Sequence, residues 1–134
     1  MPATLSEEVR KLFLEPNFAH LATLMPDGSP QVTPVWVDLE DGRILINTAE
    51  GRAKPRNVRR DPRVAISVAK QDNPYTAASV RGRVVEMRHE GADQLIDKLA
   101  KKYIGQDRYP WRRPGEQRVI MVIEPEHISS RIAD

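Results

Sequence analysis

The chain contains no cysteine. A disulfide framework, a thiolate nucleophile and a cysteine-based metal site are therefore excluded. Histidine is scarce as well. His20, His89 and His127 lie far apart, without the close spacing of a structural zinc site, so no metal is expected. No apolar run approaches the length needed to cross a membrane. The start, Met1-Pro-Ala-Thr-Leu-Ser-Glu-Glu8, lacks the basic-then-apolar pattern of an export signal. A large excess of one charge is also missing, with a net charge of +2 over 134 residues. A nonspecific nucleic-acid binder needs a broad basic face, so neither nucleic acid nor membrane is expected as a partner. What remains is the expectation of a cytoplasmic protein, one domain over residues 1–134, long enough to bury a core.

The positive charge that is present is concentrated. Arg52, Lys54, Arg56, Arg59, Arg60 and Arg63 fall within the stretch from Thr48 to Arg63. Apolar runs flank it, Arg43 to Asn47 before and Val64 to Val68 after, and both read as strands. Between them the spacing predicts a Gly turn and a short basic helix. Pro55 suits a first helical turn, where a missing N–H costs nothing. A helix start offers free N–H groups and partial positive charge, so it suits an anion. Arg52 and Lys54 flank that start, and Asn57 is one short turn in. The segment reads as a clamp for a phosphorylated cofactor; a solvated basic helix fits the same residues.

The rest of the chain supplies the frame. Thr4 to Leu14 reads as a helix opened by a capping box, Thr4-Leu-Ser-Glu7. Phe18 to Leu24 and Gln31 to Val37 form a hairpin about the Pro26–Gly28 turn. Pro34 cannot donate to a ladder, so its strand belongs at an edge or beside a break in pairing. Arg43 to Thr48 is a third strand and Val64 to Ala69 a fourth. Tyr75 to Met87 is a long fifth, with a bulge or bend expected at Gly82. Gly91 to Tyr103 is a helix with Ala92, Leu95, Ile96, Leu99 and Tyr103 on its apolar face, and with Lys98, Lys101 and Lys102 in water. Ile104 to Gln117 is a loop. Arg118 to Ile123 is a last strand, ended by Glu124-Pro125. Six strands without βαβ alternation predict a mainly β (α+β) fold, an antiparallel barrel with short flanking helices. Trp36 reads as core or interface, and Trp111 as a candidate for stacking on a ring.

The combination Leu21-Ala-Thr-Leu24, Asp27-Gly-Ser-Pro30, Arg52-Ala-Lys54, Asn57-Val58 and Asp61-Pro-Arg-Val64 resembles the split β-barrel superfamily of flavin and deazaflavin proteins. That superfamily is related to pyridoxamine 5′-phosphate oxidase, and the closest similarity is to its F420-dependent branch. The resemblance runs from about Leu12 to Ile128. It implies a homodimer with two cofactors at the subunit interface. It implies that Arg52 and Lys54, with Ala53 between them and Asn57 nearby, hold the cofactor phosphate. The ring would lie along the backbone of Val32, Thr33, Pro34 and Val35 and of Asn47 and Thr48. Residues of the partner subunit would complete the pocket, with Tyr75, Ser79 and Trp111 as candidates. The implied activity is hydride transfer between reduced coenzyme F420 and a small-molecule acceptor. FMN as the cofactor, or a noncatalytic flavin or F420 carrier, are the alternatives. The C-terminal Arg and His segment that binds substrate in the oxidases making pyridoxal 5′-phosphate has no counterpart in Glu124 to Asp134. No catalytic acid or base is identified, and none is required where the cofactor carries the chemistry.

Overall fold

The computed structural model describes residues 2–133. Its elements run α1 (Glu7–Leu14), β1 (Ala19–Leu24), β2 (Pro30–Val35), β3 (Val37–Glu40), β4 (Arg43–Ala49), α2 (Ala53–Arg60), β5 (Arg63–Lys70), β6 (Asn73–Arg88), α3 (Ala92–Ile104) and β7 (Arg118–Arg131). The strands form one antiparallel sheet in the order β2-β1-β5-β6-β7-β4-β3. Seven strands therefore stand where the sequence predicts six. The predicted return strand over Gln31–Val37 is two strands that part at Trp36. The first half pairs with β1 and the second with β4. Because β2 and β3 are the two ends of the sheet order and Trp36 alone separates them, the sheet must curl round to meet itself. One apolar cluster takes buried residues from β1 and from β3 to β7, with Val35 of β2 and Leu39 of β3 partly buried against it. Leu5, Val9, Leu12 and Phe13 from the α1 end and Val58 from α2 pack into it. Burial on that scale is the main stabilising term of the fold.

Three further expectations are corrected. The first helix is capped by Ser6, whose hydroxyl accepts from Val9 N at 3.2 Å, not by Thr4. The preceding residues cannot join the helix because Ala3 N donates to the Pro125 carbonyl at 2.8 Å. The last strand does not end at Glu124-Pro125 but continues to Arg131. Pro125 is tolerated because it faces Gly82 at a register shift of β6, where a ladder donor is not needed. Lys102 does not face water. Its ammonium donates to the carbonyls of Phe13 and Val37, both at 2.6 Å.

On the second face, α3 lays Ala92, Leu95, Ile96 and Leu99 against Leu45, Ile120 and Val122. It stops at Gly105, in the left-handed region (φ 70), with the Gly105 and Gln106 N–H groups closing on Lys101 and Ala100 carbonyls. The basic helix α2 is seated by three side chains. Asn57 is 2 % exposed and donates to Thr23 Oγ1 at 3.0 Å. Arg60 donates to the Leu24 carbonyl at 2.8 Å. Arg59 forms a two-pronged pair with Glu50, which also binds His89.

A Cβ at Gly82 would run into the Glu124 carbonyl oxygen. Gly82→Ala is expected to lower unfolding stability by about 1–3 kcal/mol, the range for forced overpacking; chemical denaturation measures it, and an unchanged midpoint would refute the close approach. Glu50 is held down to about 2 by its hydrogen bonds to Arg59 and His89, below its ordinary 4.5. A lowered carboxyl pKa contributes stability fully above pH 4.5, lost as pH falls through 2. The stability gap between the wild type and Glu50→Gln should therefore be widest above pH 4.5 and close towards pH 2. A gap independent of pH in denaturation series would contradict the assigned pairing.

Candidate functional site

The corner at Trp36 leaves two backbone edges without a strand partner. β2 pairs only with β1. β4 pairs with β3 no further than Ile46, so Asn47 to Ala49 are laddered on the β7 side alone. Between these edges lies a cleft of about 220 Å³, lined among others by Pro34, Val35, Asn47, Thr48, Arg52, Lys54 and Trp111. Seven residues expected from the sequence thus come together at one place, from β2, β4, the start of α2 and the loop before β7.

The remaining expected residues fall elsewhere. Ala53 is the half-buried first residue of α2, between Arg52 and Lys54. Thr33 turns inward, and its hydroxyl is buried without a hydrogen-bond partner. Val32 projects outward, 63 % exposed. Asn57 is not at the cleft; both ends of its amide are engaged in seating α2, with Oδ1 accepting from Arg60 at 2.8 Å. Tyr75 and Ser79 are exposed on β6, outside the cleft of their own chain. Trp111, expected from a neighbouring subunit, lines the cleft of its own chain.

One end of the cleft is cationic. No side chain caps the start of α2. Lys54 has no ion-pair partner among the described residues, and burial, with the nearby Arg52 charge, lowers its pKa. The Thr48 hydroxyl, 2 % exposed as a residue, is buried without a partner. A buried donor left unsatisfied costs about 1–3 kcal/mol, and this one belongs to a residue that lines the same cleft as Lys54. The site does fit a phosphorylated group: a cation without an ion-pair partner, an uncapped helix start and a residue with an unused hydroxyl border the one cleft.

The other end is aromatic. Trp36 stacks on Tyr103 (5.4 Å, 5° between planes), meets Tyr109 edge-on at 6.0 Å and leans on Trp111 at 6.2 Å. Phe18 lies 5.6 Å from Tyr103 and also lines the cleft. Trp111 is held by its loop, since Asp97 on α3 accepts from Tyr109 N at 2.9 Å and from Arg112 at 2.8 Å. Sequence reasoning missed Arg118 and Glu116. Arg118 is 5 % exposed, donates to Asn47 Oδ1 at 2.9 Å and to Glu116 Oε1 at 2.8 Å, and lies 5.1 Å from the Tyr109 ring centre. The signal was an arginine opening an apolar strand, where charge is out of place unless paired. A larger cavity, about 570 Å³, lies beneath the N-terminal segment. Glu124 there pairs with Arg43 and Glu40 with Arg88, and among the described residues no helix start or orphaned hydroxyl lines it.

Comparison with known proteins identifies the fold and the family. A solved F420 reductase is 33 % identical, with 93 % of this chain and 98 % of that one covered and a TM-score of 0.81. A conserved hypothetical protein of Mycobacterium tuberculosis is 25 % identical over 96 % of this chain and 86 % of that one, with a TM-score of 0.67. Group A Streptococcus HupZ shares the fold at 20 % identity, TM-score 0.68, over 98 % of this chain and all (100 %) of that one. The family profile described as pyridoxamine 5′-phosphate oxidase matches residues 5–131. The chain belongs to that family.

Proposed function

We propose that this protein is an F420-dependent reductase that works as a homodimer. The observation that carries the reading is that the unpaired Lys54 and Thr48, with its orphaned hydroxyl, line one cleft bounded by two free strand edges. Family membership supports a flavin-type oxidoreductase, and the 33 % identity to an F420 reductase favours the deazaflavin.

In this reading Lys54, Arg52 and the N–H groups at the start of α2 hold the phosphate. The backbones of Val32 to Val35 and of Asn47 and Thr48 lie along the ring edge. Trp36, Tyr109 and Trp111 form an apolar wall that excludes water. When bound, the deazaflavin supplies a hydride to an electrophilic carbon of the acceptor. The titratable side chains lining the cleft are Arg52, Lys54, Arg118 and Tyr109, none of them a carboxylate or imidazole. That lining suits an acceptor whose reduced product can take its proton from water, such as an enone, quinone or imine. For the acidic tail of F420, Arg56 and Arg113 are exposed without carboxylate partners among the described residues, whereas Arg59, Arg60 and Arg112 are engaged. The cleft is smaller than the ~300 Å³ of a typical small-molecule site. A second subunit, presenting Tyr75 and Ser79, would enclose the rest. FMN remains the second reading, because its terminal phosphate needs only the Arg52 and Lys54 end.

Side-by-side titration should give tighter binding of F420 than of FMN, and reduced F420 should be consumed with at least one enone, quinone or imine. Equal or tighter FMN binding would move the protein to the FMN reading, and binding without turnover would make it a carrier. Lys54→Ala should weaken F420 binding by about 1.5–3 kcal/mol, the scale of hydrogen bonds to charged groups. Arg52→Ala should cost less, because Glu116 already shares that guanidinium at 3.5 Å. Unchanged affinity in Lys54→Ala would refute the clamp, and a diluted monomer that binds at full strength would refute the shared site.

A further inference from the structure

Behind the cationic end sits one carboxylate. Glu116 is 6 % exposed as a side chain and lies between two arginines. Its Oε1 accepts from Arg118 at 2.8 Å, and its Oε2 is 3.5 Å from Arg52 Nη2. Arg118 is itself 3 % exposed as a side chain and has its remaining contacts on Asn47 and Tyr109. A buried charge is screened far less than one in water, so Glu116 acts on whatever the cleft holds. Three cations against one carboxylate leave two positive charges, and Arg118 is already consumed within the protein. An incoming anion meets Lys54 in full and Arg52 in part.

We propose that Glu116 sets the charge of the cleft so that it favours a singly charged phosphodiester over a doubly charged phosphomonoester. The inference deepens the function proposed above and rests on it: F420 carries a diester, and FMN a monoester. The physical reason is that the carboxylate cancels one of the three cations, so a second negative charge on the ligand gains less attraction to set against a desolvation cost that grows steeply with charge. Glu116 is a specificity-determining residue and not a catalytic one, since it reaches the ligand through Arg52.

The test separates charge from ring chemistry. Three ligands share one ring: riboflavin, FMN, and riboflavin 4′,5′-cyclic phosphate, which is a diester. Dissociation constants are measured at pH 8 for the wild type, Glu116→Gln and Glu116→Asp, with F420 binding alongside. The wild type should bind the cyclic diester at least as tightly as FMN. Glu116→Gln, which keeps an acceptor for Arg118, should shift the diester-to-monoester ratio towards FMN by about tenfold, one decade on the affinity scale. Glu116→Asp should keep the wild-type preference.

A second arm uses pH, because a phosphomonoester loses its second proton near about pH 6. Raising pH from 5 to 8 should strengthen FMN binding more in Glu116→Gln than in the wild type. The charged groups around Glu116 are Arg52 at the cap of α2, Lys54 in its first turn and Arg118 from β7, with the neutral Tyr109 phenol beside Arg118. Glu50, with Arg59 and His89, lies on the preceding turn. All are common to both proteins, so the difference between them reports the carboxylate. A ratio unchanged in Glu116→Gln while F420 still binds overturns this inference alone. If no protein binds F420 or any of the three flavins, the functional reading falls and takes this inference with it. Should Glu116→Gln fail to fold, as a thermal melt would reveal, the wild type decides alone. FMN binding that strengthens about tenfold or more from pH 5 to 8 would overturn the proposal, and weakening or no change would support it.

Discussion

The constraint on which the architecture turns is the single residue between β2 and β3. A chain that leaves one end of a sheet and enters the other through Trp36 alone forces the two ends together, yet gives them no room to pair. The ladder therefore stops at Ile46 on one side and has no partner for β2 on the other. Unpaired backbone groups normally cost free energy when they are buried. Here they border an open cleft, where a ligand with groups along its edge can meet them. Pro34 fits the same logic, since a residue without an N–H weakens no ladder at a free edge. The aromatic wall follows from the same joint, because Trp36 is delivered to the outside of the curl, where Tyr103, Tyr109 and Trp111 gather round it.

Electrostatics then divides the basic residues into two kinds. Arg59, Arg60, Arg63 and Arg112 each have a carboxylate or carbonyl partner, and their work is to fix α2, its exit and the loop that carries Trp111. Exposed pairs of this type contribute little stability singly, about 0–1 kcal/mol, so their value lies in geometry. Lys54 has no such partner among the described residues and, unlike the exposed Arg56 and Arg113, is drawn out of water. It sits half-buried with its proton disfavoured, and an anion would relieve that cost. A site of this kind gains from its ligand what the empty fold lacks. That gain explains why a segment so rich in cations is not simply covered by acidic neighbours.

The β-rich class, the hairpin, the basic helix and the amphipathic α3 were legible because each has a local signal: a Gly or Pro turn, a Pro in the first helical turn, a period of 3.6. Arg52, Lys54, Asn47, Thr48, Pro34 and Val35 were legible as a group through family resemblance, and they do share a cleft. Three things were not legible. The break at Trp36 has no turn residue, since the partner strand changes while the backbone stays extended. The continuation of β7 through Pro125 depends on Gly82, some forty residues earlier, providing a bulge opposite it. The pairing of Arg118 with Glu116 looks like an ordinary alternation of charge before a strand, and its burial exists only once Tyr109 and Asn47 close over it. In each case the deciding partner is remote in sequence.

Lys102 follows the same rule and bears on the cleft. Helical spacing puts it beside Lys101 in a solvated last turn, yet it reaches across to the end of α1 and to the first residue of β3. Burial pushes its pKa down to about 8. Two carbonyl oxygens at 2.6 Å work against that tendency, because they accept only from a donor and favour the ammonium form. Its neighbour Tyr103 accepts from Val37 N at 3.2 Å and donates to the Asn17 carbonyl at 2.8 Å, and burial lifts its phenol to about 12, so the hydroxyl stays protonated. Both polar groups of Val37 are thus held by side chains of α3, one residue beyond Trp36. The corner that opens the cleft is fixed from the helix outside the curl as well as by the ladders on either side of it. A ligand entering the cleft therefore meets edges whose spacing is set before it arrives, which lowers the ordering cost of binding.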